Sequence, residues 1–256
     1  MSNEETIKPS SNKISTYTIS ARGKSKLVPI KEFISSNFAD VPLPQIESVF
    51  GFVERSSLYG GRAFQIEELT DGDVVNLNEM NIGLRIPLTN HFVDRDEFIN
   101  ASKILEKHHN SLNSVICTND DLALWIRAEY PSYEIEASVI KNLTTKEKIA
   151  DALEIYNTVV LPMSSNDNDL LLDSIEDKSR IRLFANAGCA YTCPAKICYK
   201  SVSKMNKFQG GEFKCSQTIK ARQSMGMIDF ELQRLQNKGY HKFKLLRTQI
   251  GNQTGY

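Results

Sequence analysis

Short apolar stretches alternate with amphipathic ones along most of this chain. The apolar stretches are rich in Ile, Val, Leu and Phe, which is typical of parallel strands covered by helices. Each is followed by polar or turn-forming residues. The pattern predicts strands at Ile46–Val53, Leu84–Leu88, Val115–Cys117, Tyr133–Val139, Thr158–Leu161, Ile181–Ala185 and Phe243–Leu246.

The segments between these strands carry apolar residues at helical spacing. The clearest case is Asp94–His108, where Phe98, Ala101, Ile104 and Leu105 fall on one face. Polar residues that favour helix starts precede several of the other segments. Further helices are predicted at Gly72–Met80, from Asp120 or Asp121 through Ile126, from Thr144 or Thr145 through Tyr156, at Asp169–Ile175, and at Met227–Asn237, closed by Gly239.

Repeated strand and helix define either a closed barrel of parallel strands or a doubly wound open sheet. No glycine-rich phosphate loop follows the first strand, which disfavours a dinucleotide-binding open sheet. About seven strands in about 210 residues favour an α/β fold, a TIM-like (β/α) barrel that is incomplete or distorted.

The N-terminal part of the chain has a different composition. We expect residues 1–44, which contain Pro29, Pro42 and Pro44, to form a flexible, irregular arm with a short strand near Ile14–Ile19. Residues 45–256 would then be a single barrel domain. The eighth strand of the barrel is either contributed by the arm or missing.

Composition excludes several classes of protein. Lys and Arg together number 31 and balance 31 Asp and Glu, so the chain does not resemble a polycationic nucleic-acid binder. No apolar run is long enough for a membrane span, and the polar N-terminus lacks a signal segment. We therefore expect a cytoplasmic protein, in which clustered cysteines serve metal binding or catalysis more often than disulfides.

Four of the five cysteines fall within a 27-residue stretch. Three, four and sixteen residues separate them in turn, and the first follows shortly after the predicted strand Ile181–Ala185. We predict a metal centre here, formed by Cys189, Cys193, Cys198 and Cys215. Pro194 suits the first turn of a helix, whose N-terminus would stabilise a neighbouring thiolate.

The identity of the metal is open from the spacing alone. The loose spacing and the strand-end position favour a [4Fe-4S] cluster over structural zinc, whose ligands usually come in closely spaced pairs. Free thiols are the remaining alternative. A radical-SAM motif is disfavoured because its second gap is shorter than the four residues found here. Cys117 is interpreted as a buried core residue.

Polar residues follow several of the predicted strands. In parallel-strand folds the carboxyl ends of the strands carry the active site. We therefore predict that Asn90, Asn119, Asn186 and Arg247 contact a substrate, and that the cysteines share this face. His91 is the histidine nearest to this site. A guanidinium at Arg247 suits a carboxylate or phosphate.

Three elements resemble a known family. The run Asn186-x-Gly188-Cys189-x-x-x-Cys193-Pro194 is similar to the N-x-G-C and C-P element of the collagenase-like peptidase family of undefined catalytic type. The closing stretch Gly239–Thr248 resembles the final strand of that family, although Leu246 stands where many relatives have glycine. The Tyr59–Arg62 turn is also similar.

The resemblance implies a barrel that binds a [4Fe-4S] cluster through the four cysteines, with Arg247 beside the substrate. Relatives of this family take part in oxygen-independent hydroxylation of a ubiquinone precursor, as a heterodimer, or of bases in RNA. The cysteine spacing differs from that of the hydroxylation proteins, so the substrate class does not carry over.

Three functions follow as hypotheses. The first is an iron–sulfur enzyme that modifies a small aromatic molecule or RNA without oxygen. The second is a non-catalytic iron–sulfur or zinc subunit, partnered by a second barrel subunit. The third is a peptidase-like hydrolase, for which the sequence offers no nucleophile–base pair.

Overall fold

Eight parallel strands close into a barrel in the described part of the chain. The structure is a computed structural model that describes residues 13–193, 195–218, 220 and 227–246. Neighbouring strands around the barrel follow the order β1, β10, β7, β6, β5, β4, β3, β2. These strands are β1 (Thr16–Ser20), β2 (Ile46–Phe50), β3 (Gly83–Leu88), β4 (Ser114–Cys117), β5 (Glu134–Ala137), β6 (Thr158–Val160), β7 (Ile181–Phe184) and β10 (Lys242–Leu245).

The TIM-like barrel predicted from the sequence is confirmed, but it is closed and not incomplete. Strand β1 supplies the eighth strand, pairing with β10 from Thr16 opposite Lys242 and with β2 up to Ser20 opposite Phe50. The barrel therefore begins within residues 1–44, the segment expected to form an arm.

Helices surround the barrel in the order expected for a (β/α) fold. Two predicted helices differ in detail: Asp94–His108 is broken at Ala101, and Met227–Asn237 is helical only in its second half. The helices are α1 (Ile30–Asn37), α2 (Asp71–Glu79), α3 (Arg95–Asn100), α4 (Ser102–Lys107), α5 (Asp120–Glu129), α6 (Lys146–Ile155), α7 (Asp169–Ser174), α8 (Cys198–Phe208) and α9 (Leu232–Asn237).

Side-chain caps define the starts of several helices. Thr70 and Asp73 form a reciprocal capping box at α2, and Asp94 and Glu97 form another at α3. Helix α6 is capped by Thr145, one of the two predicted residues. Helix α5 is capped by Asn119 and not by Asp120 or Asp121. Gly239 ends α9 at φ 93°, as its position predicts.

A short antiparallel ribbon forms the base of the cysteine-containing excursion. Strand β8 (Asn186–Ala187) leaves the end of β7 and pairs with β9 (Ile228–Asp229) on the return of the chain. The ribbon is fastened to the barrel because Phe230 N–H donates to the carbonyl of Ala185, 3.0 Å away. The segment between, of which residues 188–193 and 195–218 are described, is called the cysteine segment below.

The outer and inner faces of the barrel differ in chemistry. The faces turned to the helices are apolar, with Val49, Leu84, Val115 and Leu183 fully buried. The interior carries buried charged side chains instead of the branched aliphatic layers common in such barrels. No helix in the described ranges is long and apolar enough to cross a membrane.

Candidate functional site

A cavity opens at the carboxyl ends of the barrel strands. The space open to the centres of water-sized molecules is about 80 Å³, and the cavity is partly open to solvent. An apolar wall with a few polar groups is typical of a small-molecule site. The apolar wall includes Phe50, Ile116 and Phe184, and the polar groups are Ser20, Arg22, Arg62, Thr89, Ser138 and Lys244. We call this the mouth cavity.

The Tyr59–Arg62 stretch forms a tight turn on one side of the mouth cavity. A β-carbon at Gly60 would lie 2.2 Å from the carbonyl oxygen of Thr89, so the two backbones approach too closely for any other residue. Gly61 has φ 76°. The Arg62 guanidinium is bound by both nitrogens to the Glu68 carboxylate. The stretch is thus a tight turn whose arginine is already paired, and not an open anion-binding loop.

Three buried charged residues, Arg85, Glu136 and Arg182, form a network inside the barrel with Glu47, whose side chain is partly exposed. Glu47 Oε1 accepts hydrogen bonds from Arg85 and Arg182, each 2.8 Å away. Glu136 Oε2 accepts from the same two guanidiniums, with Arg182 Nε at 2.7 Å. Burial would raise the pKa of Glu136, but Arg85, Arg182 and Lys244 outweigh it and lower that pKa to about 2. Both carboxylates are therefore ionised at neutral pH.

Lys244 lies between this network and the mouth cavity. The side chain comes from β10 and is buried, and the residue lines the cavity. Its Nζ is 3.9 Å from Glu136 Oε1 and 4.3 Å from the centroid of the Phe50 ring. The sequence analysis did not select Lys244, Glu136, Arg85 or Arg182. The sequence feature by which these residues could be found is a charged side chain within an otherwise apolar strand, at a position that faces the barrel interior.

Asn90, a predicted substrate contact, lies buried beside the mouth. Its amide nitrogen donates to the carbonyls of Ser57 and Ser203, at 2.7 and 2.9 Å. Its side-chain oxygen accepts from Phe92 N–H at 2.8 Å. The side chain thus bonds backbone groups of three segments, those of Ser57, Phe92 and Ser203, and links these segments at the mouth of the barrel.

The remaining predicted contacts also lie at strand ends. Asn119 caps α5 by accepting from Leu122 N–H at 2.9 Å. Asn186 pairs with both backbone groups of Leu246, at 3.0 and 2.9 Å, and so joins the ends of β7 and β10. Neither side chain lines the mouth cavity. Arg247 lies outside the described residues.

Helix α8 carries the cysteine segment over the mouth of the barrel. Asn206 donates to the carbonyls of Tyr59 and Arg62, both at 3.0 Å, and accepts from Phe64 N–H at 2.9 Å. At the other end of the segment, Lys196 Nζ reaches Asn142 Oδ1 after β5, 2.9 Å away. The segment therefore spans the barrel mouth from the β2 loop to the β5 loop.

Local hydrogen bonds bring the cysteines toward one another. Ser201 is one turn after Cys198 on α8, and its hydroxyl bonds both backbone groups of Lys214, at 3.1 and 3.2 Å. Because Lys214 precedes Cys215, this link brings Cys215 to the start of α8. Ser216 Oγ then lies 3.3 Å from Cys193 Sγ.

Cys193 occupies an environment that favours its thiolate. Lys196 has the unusual φ of 45°, and its N–H points to Cys193 Sγ from 3.4 Å. Burial opposes ionisation, but hydrogen bonds from Ser216, Lys196 and Ala195, together with the Lys196 charge, lower the pKa of Cys193.

Cys198 is electrostatically coupled to the other three thiols of the segment. Burial raises the pKa of Cys198 to about 11, and negative charge on Cys215, Cys189 and Cys193 contributes to the rise. The Cys198 thiol is therefore protonated at neutral pH in the absence of a bound cation. In the described part of the chain, however, no three His, Cys, Asp or Glu side chains are placed as a metal ion requires. The thiols thus share one neighbourhood and have the donor chemistry of a soft metal site, without forming a closed ligand set.

Two other residues have clear positions. Cys117 is fully buried, and burial raises the pKa of its thiol, as expected for an inert core residue. The His91 ring lies against α8, with Nδ1 3.1 Å from the hydroxyl of Ser203. Burial and Lys200 lower the pKa of His91. Ser203 itself is fully buried.

The fold of this chain, a closed (β/α) barrel, is shared with a solved peptidase structure. The solved structure of the U32 peptidase Mk0906 superposes with a TM-score of 0.62 and 11% sequence identity, covering 94% of this chain and 96% of that one. At this identity the likeness concerns the fold alone. No protein-family model matches the sequence, and no curated protein matches it.

Proposed function

We propose that this chain is an iron–sulfur barrel protein of the collagenase-like peptidase group. In this proposal it takes part in an oxygen-independent hydroxylation, or a related modification, of a small aromatic or RNA substrate bound at the barrel mouth. The proposal is carried by four cysteines on one segment that crosses the barrel mouth, where Cys198 lies near enough to the other three for their charges to contribute to its raised pKa. The cluster ligands would be Cys189, Cys193, Cys198 and Cys215.

The chemistry of the donors supports a soft metal centre. Thiolate is the ligand form of cysteine, and the hydrogen bonds around Cys193 already favour it. The raised pKa of Cys198 means that this thiol would release a proton when it binds metal. A bound cluster would supply one-electron transfer beside the cavity or anchor a substrate there.

The lining of the mouth cavity favours a small ligand at the end of the barrel that the cysteine segment crosses. The cavity is partly open to solvent and its lining is mostly apolar, as in many small-molecule sites. Phe50 and Phe184 offer apolar walls to an aromatic ring, while Ser20, Thr89 and Ser138 offer hydroxyl groups. The cavity residues would orient the substrate, and α8 and the tight turn at Gly60 would restrict its access to water.

A partner subunit is the second candidate function. Three large apolar side chains of the cysteine segment are exposed: Ile197 at 44%, Phe208 at 67% and Phe213 at 38%. Exposed apolar side chains on one segment favour a protein contact. The cluster would then serve structure or electron transfer in a complex with a second barrel subunit. Peptidase-like hydrolysis is less supported, because the Ser203 hydroxyl beside His91 is buried away from any substrate.

Anaerobic reconstitution with iron and sulfide tests the proposal. We expect visible charge-transfer absorption in the wild-type protein and its loss in Cys193→Ser and Cys198→Ser. Cys117→Ser is the matched control, because that thiol is remote in the core and should leave the spectrum unchanged. Identical colourless behaviour of all four proteins would reject a cluster at this site.

A further inference from the structure

We propose that Lys244 is a reactive amine that forms a Schiff base with a small oxo acid in the mouth cavity. The inference rests on residues of the barrel interior and is independent of the cysteine segment. It assigns a covalent binding site to the carboxyl end of β10, next to the buried charge network.

The position of Lys244 is unusual for a lysine. Only 6% of its surface is exposed, although lysine is almost never buried without a close partner. The nearest carboxylate oxygen, Glu136 Oε1, lies 3.9 Å away, beyond hydrogen-bond distance. Within the described ranges the ammonium makes no hydrogen bond. It rests instead on the face of Phe50 at the wall of the cavity.

The surroundings disfavour the charged form of this amine. Burial is the largest cause, Glu136 opposes it, and Arg85 and Arg182 add to it, so that the pKa of Lys244 falls to about 8. Glu47 shares the two guanidiniums with Glu136, and Arg22 and Arg62 stand at the cavity wall. A desolvated lysine beside other cations is the environment in which an amine becomes a nucleophile near neutral pH.

The chemistry is balanced without a co-reactant. The free amine attacks the carbonyl carbon, the carbonyl oxygen leaves as water, and a carbon–nitrogen double bond replaces the carbon–oxygen double bond. Glu136 Oε1 has no hydrogen-bond partner among the described residues. It is therefore placed to balance the positive charge of the protonated Schiff base.

An acid is favoured as the ligand because the cavity is positive. Among the described residues that line it are Arg22, Lys244 and Arg62, the last paired with Glu68, and no carboxylate, whereas Arg85 and Arg182 of the adjoining network are balanced by Glu47 and Glu136. The Arg22 residue and the hydroxyls of Ser20 and Thr89 line the wall, where a carboxylate would find donors. The apolar wall at Phe50 and Phe184 would take the carbon chain.

Reductive trapping tests this site. The wild-type protein is incubated with glyoxylate, pyruvate or pyridoxal and sodium cyanoborohydride near pH 7.5, and the modified lysines are mapped by peptide mass spectrometry. We expect the adduct at Lys244 to form about tenfold faster than at surface lysines, because its lower pKa leaves more free amine. Lys24 is an internal control, since it is buried but bound to Asp73 at 2.8 Å.

The outcomes separate this site from the cysteine site. Trapping at Lys244 that persists in Cys193→Ser and is absent from folded Lys244→Met supports the inference, whether or not a cluster binds. If no carbonyl probe modifies Lys244, or if Lys244 reacts no faster than surface lysines, the inference is overturned. The map of the wild-type protein decides this even where the Lys244→Met variant fails to fold.

Discussion

The side-chain amide of Asn90 donates a hydrogen bond to the carbonyl oxygen of Ser203, 2.9 Å away. This bond joins the end of β3 to the middle of α8, 113 residues later in the chain. Helix α8 begins with Cys198, so the position of the thiols over the barrel depends on contacts of this kind. A residue at a strand end, predicted as a substrate contact, is thus bonded to the backbone that positions the site.

Replacing Asn90 by alanine should loosen the barrel mouth. The carbonyls of Ser57 and Ser203 would lose a buried donor, at a cost of about 2–3 kcal/mol in unfolding free energy. Urea unfolding measures this cost, and faster amide exchange in α8 would locate it. Asn119→Ala should cost only about 1 kcal/mol, the usual effect of a lost helix cap. Equal costs for both variants would contradict this role of Asn90.

Loss of the Glu136 charge should lower the stability of the protein far more than loss of a charge elsewhere on β5. Glu136→Gln leaves Arg85 and Arg182 buried beside an uncharged amide, which should destabilise the protein by about 3–5 kcal/mol. Glu134→Gln is the matched control, two residues earlier on β5 and exposed, and should change stability by less than about 0.5 kcal/mol. Thermal or urea unfolding of the two variants gives the comparison.

Gly60 should not tolerate a side chain. In Gly60→Ala the new carbon would overlap the Thr89 carbonyl, and we expect a loss of about 1–3 kcal/mol as the turn shifts. Gly72→Ala is the control, because only the Thr70 hydroxyl lies within 4 Å, at 3.8 Å, and α2 would gain helix propensity. A Gly60→Ala variant as stable as the wild type would show that the turn is not tight in solution.

The barrel itself follows from the sequence because its strands are short, apolar and separated by helical repeats. The sequence does not decide whether β1 joins the barrel, because Thr16, Thr18 and Ser20 give this strand a polar alternation. In the structure these residues face the polar interior of the barrel. The break at Ala101 between α3 and α4 cannot be seen in the sequence, because the helical spacing of apolar residues continues across it. The local sequence pattern thus predicts which strands and helices form better than it predicts where each of them begins and ends.

The site is less predictable because its contacts join distant parts of the chain. Glu47 and Arg182 are 135 residues apart, and the sequence of either strand alone does not identify the other residue as its hydrogen-bond partner. Clustered cysteines are visible in the sequence, whereas the neighbourhood of Cys198 and Cys215 depends on the Ser201–Lys214 contact. The importance of Lys244 appears only after the barrel has closed around it.

The titration of Lys244 should be visible in stability. The folded protein holds this pKa at about 8, and an unfolded lysine titrates at about 10.4. Between these values the unfolded chain binds more protons, so stability should rise with pH there. The free energy of unfolding, measured from pH 7 to 10, should increase for the wild type relative to Lys244→Met. Parallel profiles for the two proteins would contradict the lowered pKa.

The most direct test of the proposed function is the content of iron and acid-labile sulfide in protein purified without oxygen. The four thiols of the cysteine segment predict about four iron and four sulfide per chain, as a [4Fe-4S] cluster requires. The content should fall in Cys215→Ser and stay unchanged in Cys117→Ser. One zinc per chain without sulfide, or no bound metal at all, would contradict the iron–sulfur account.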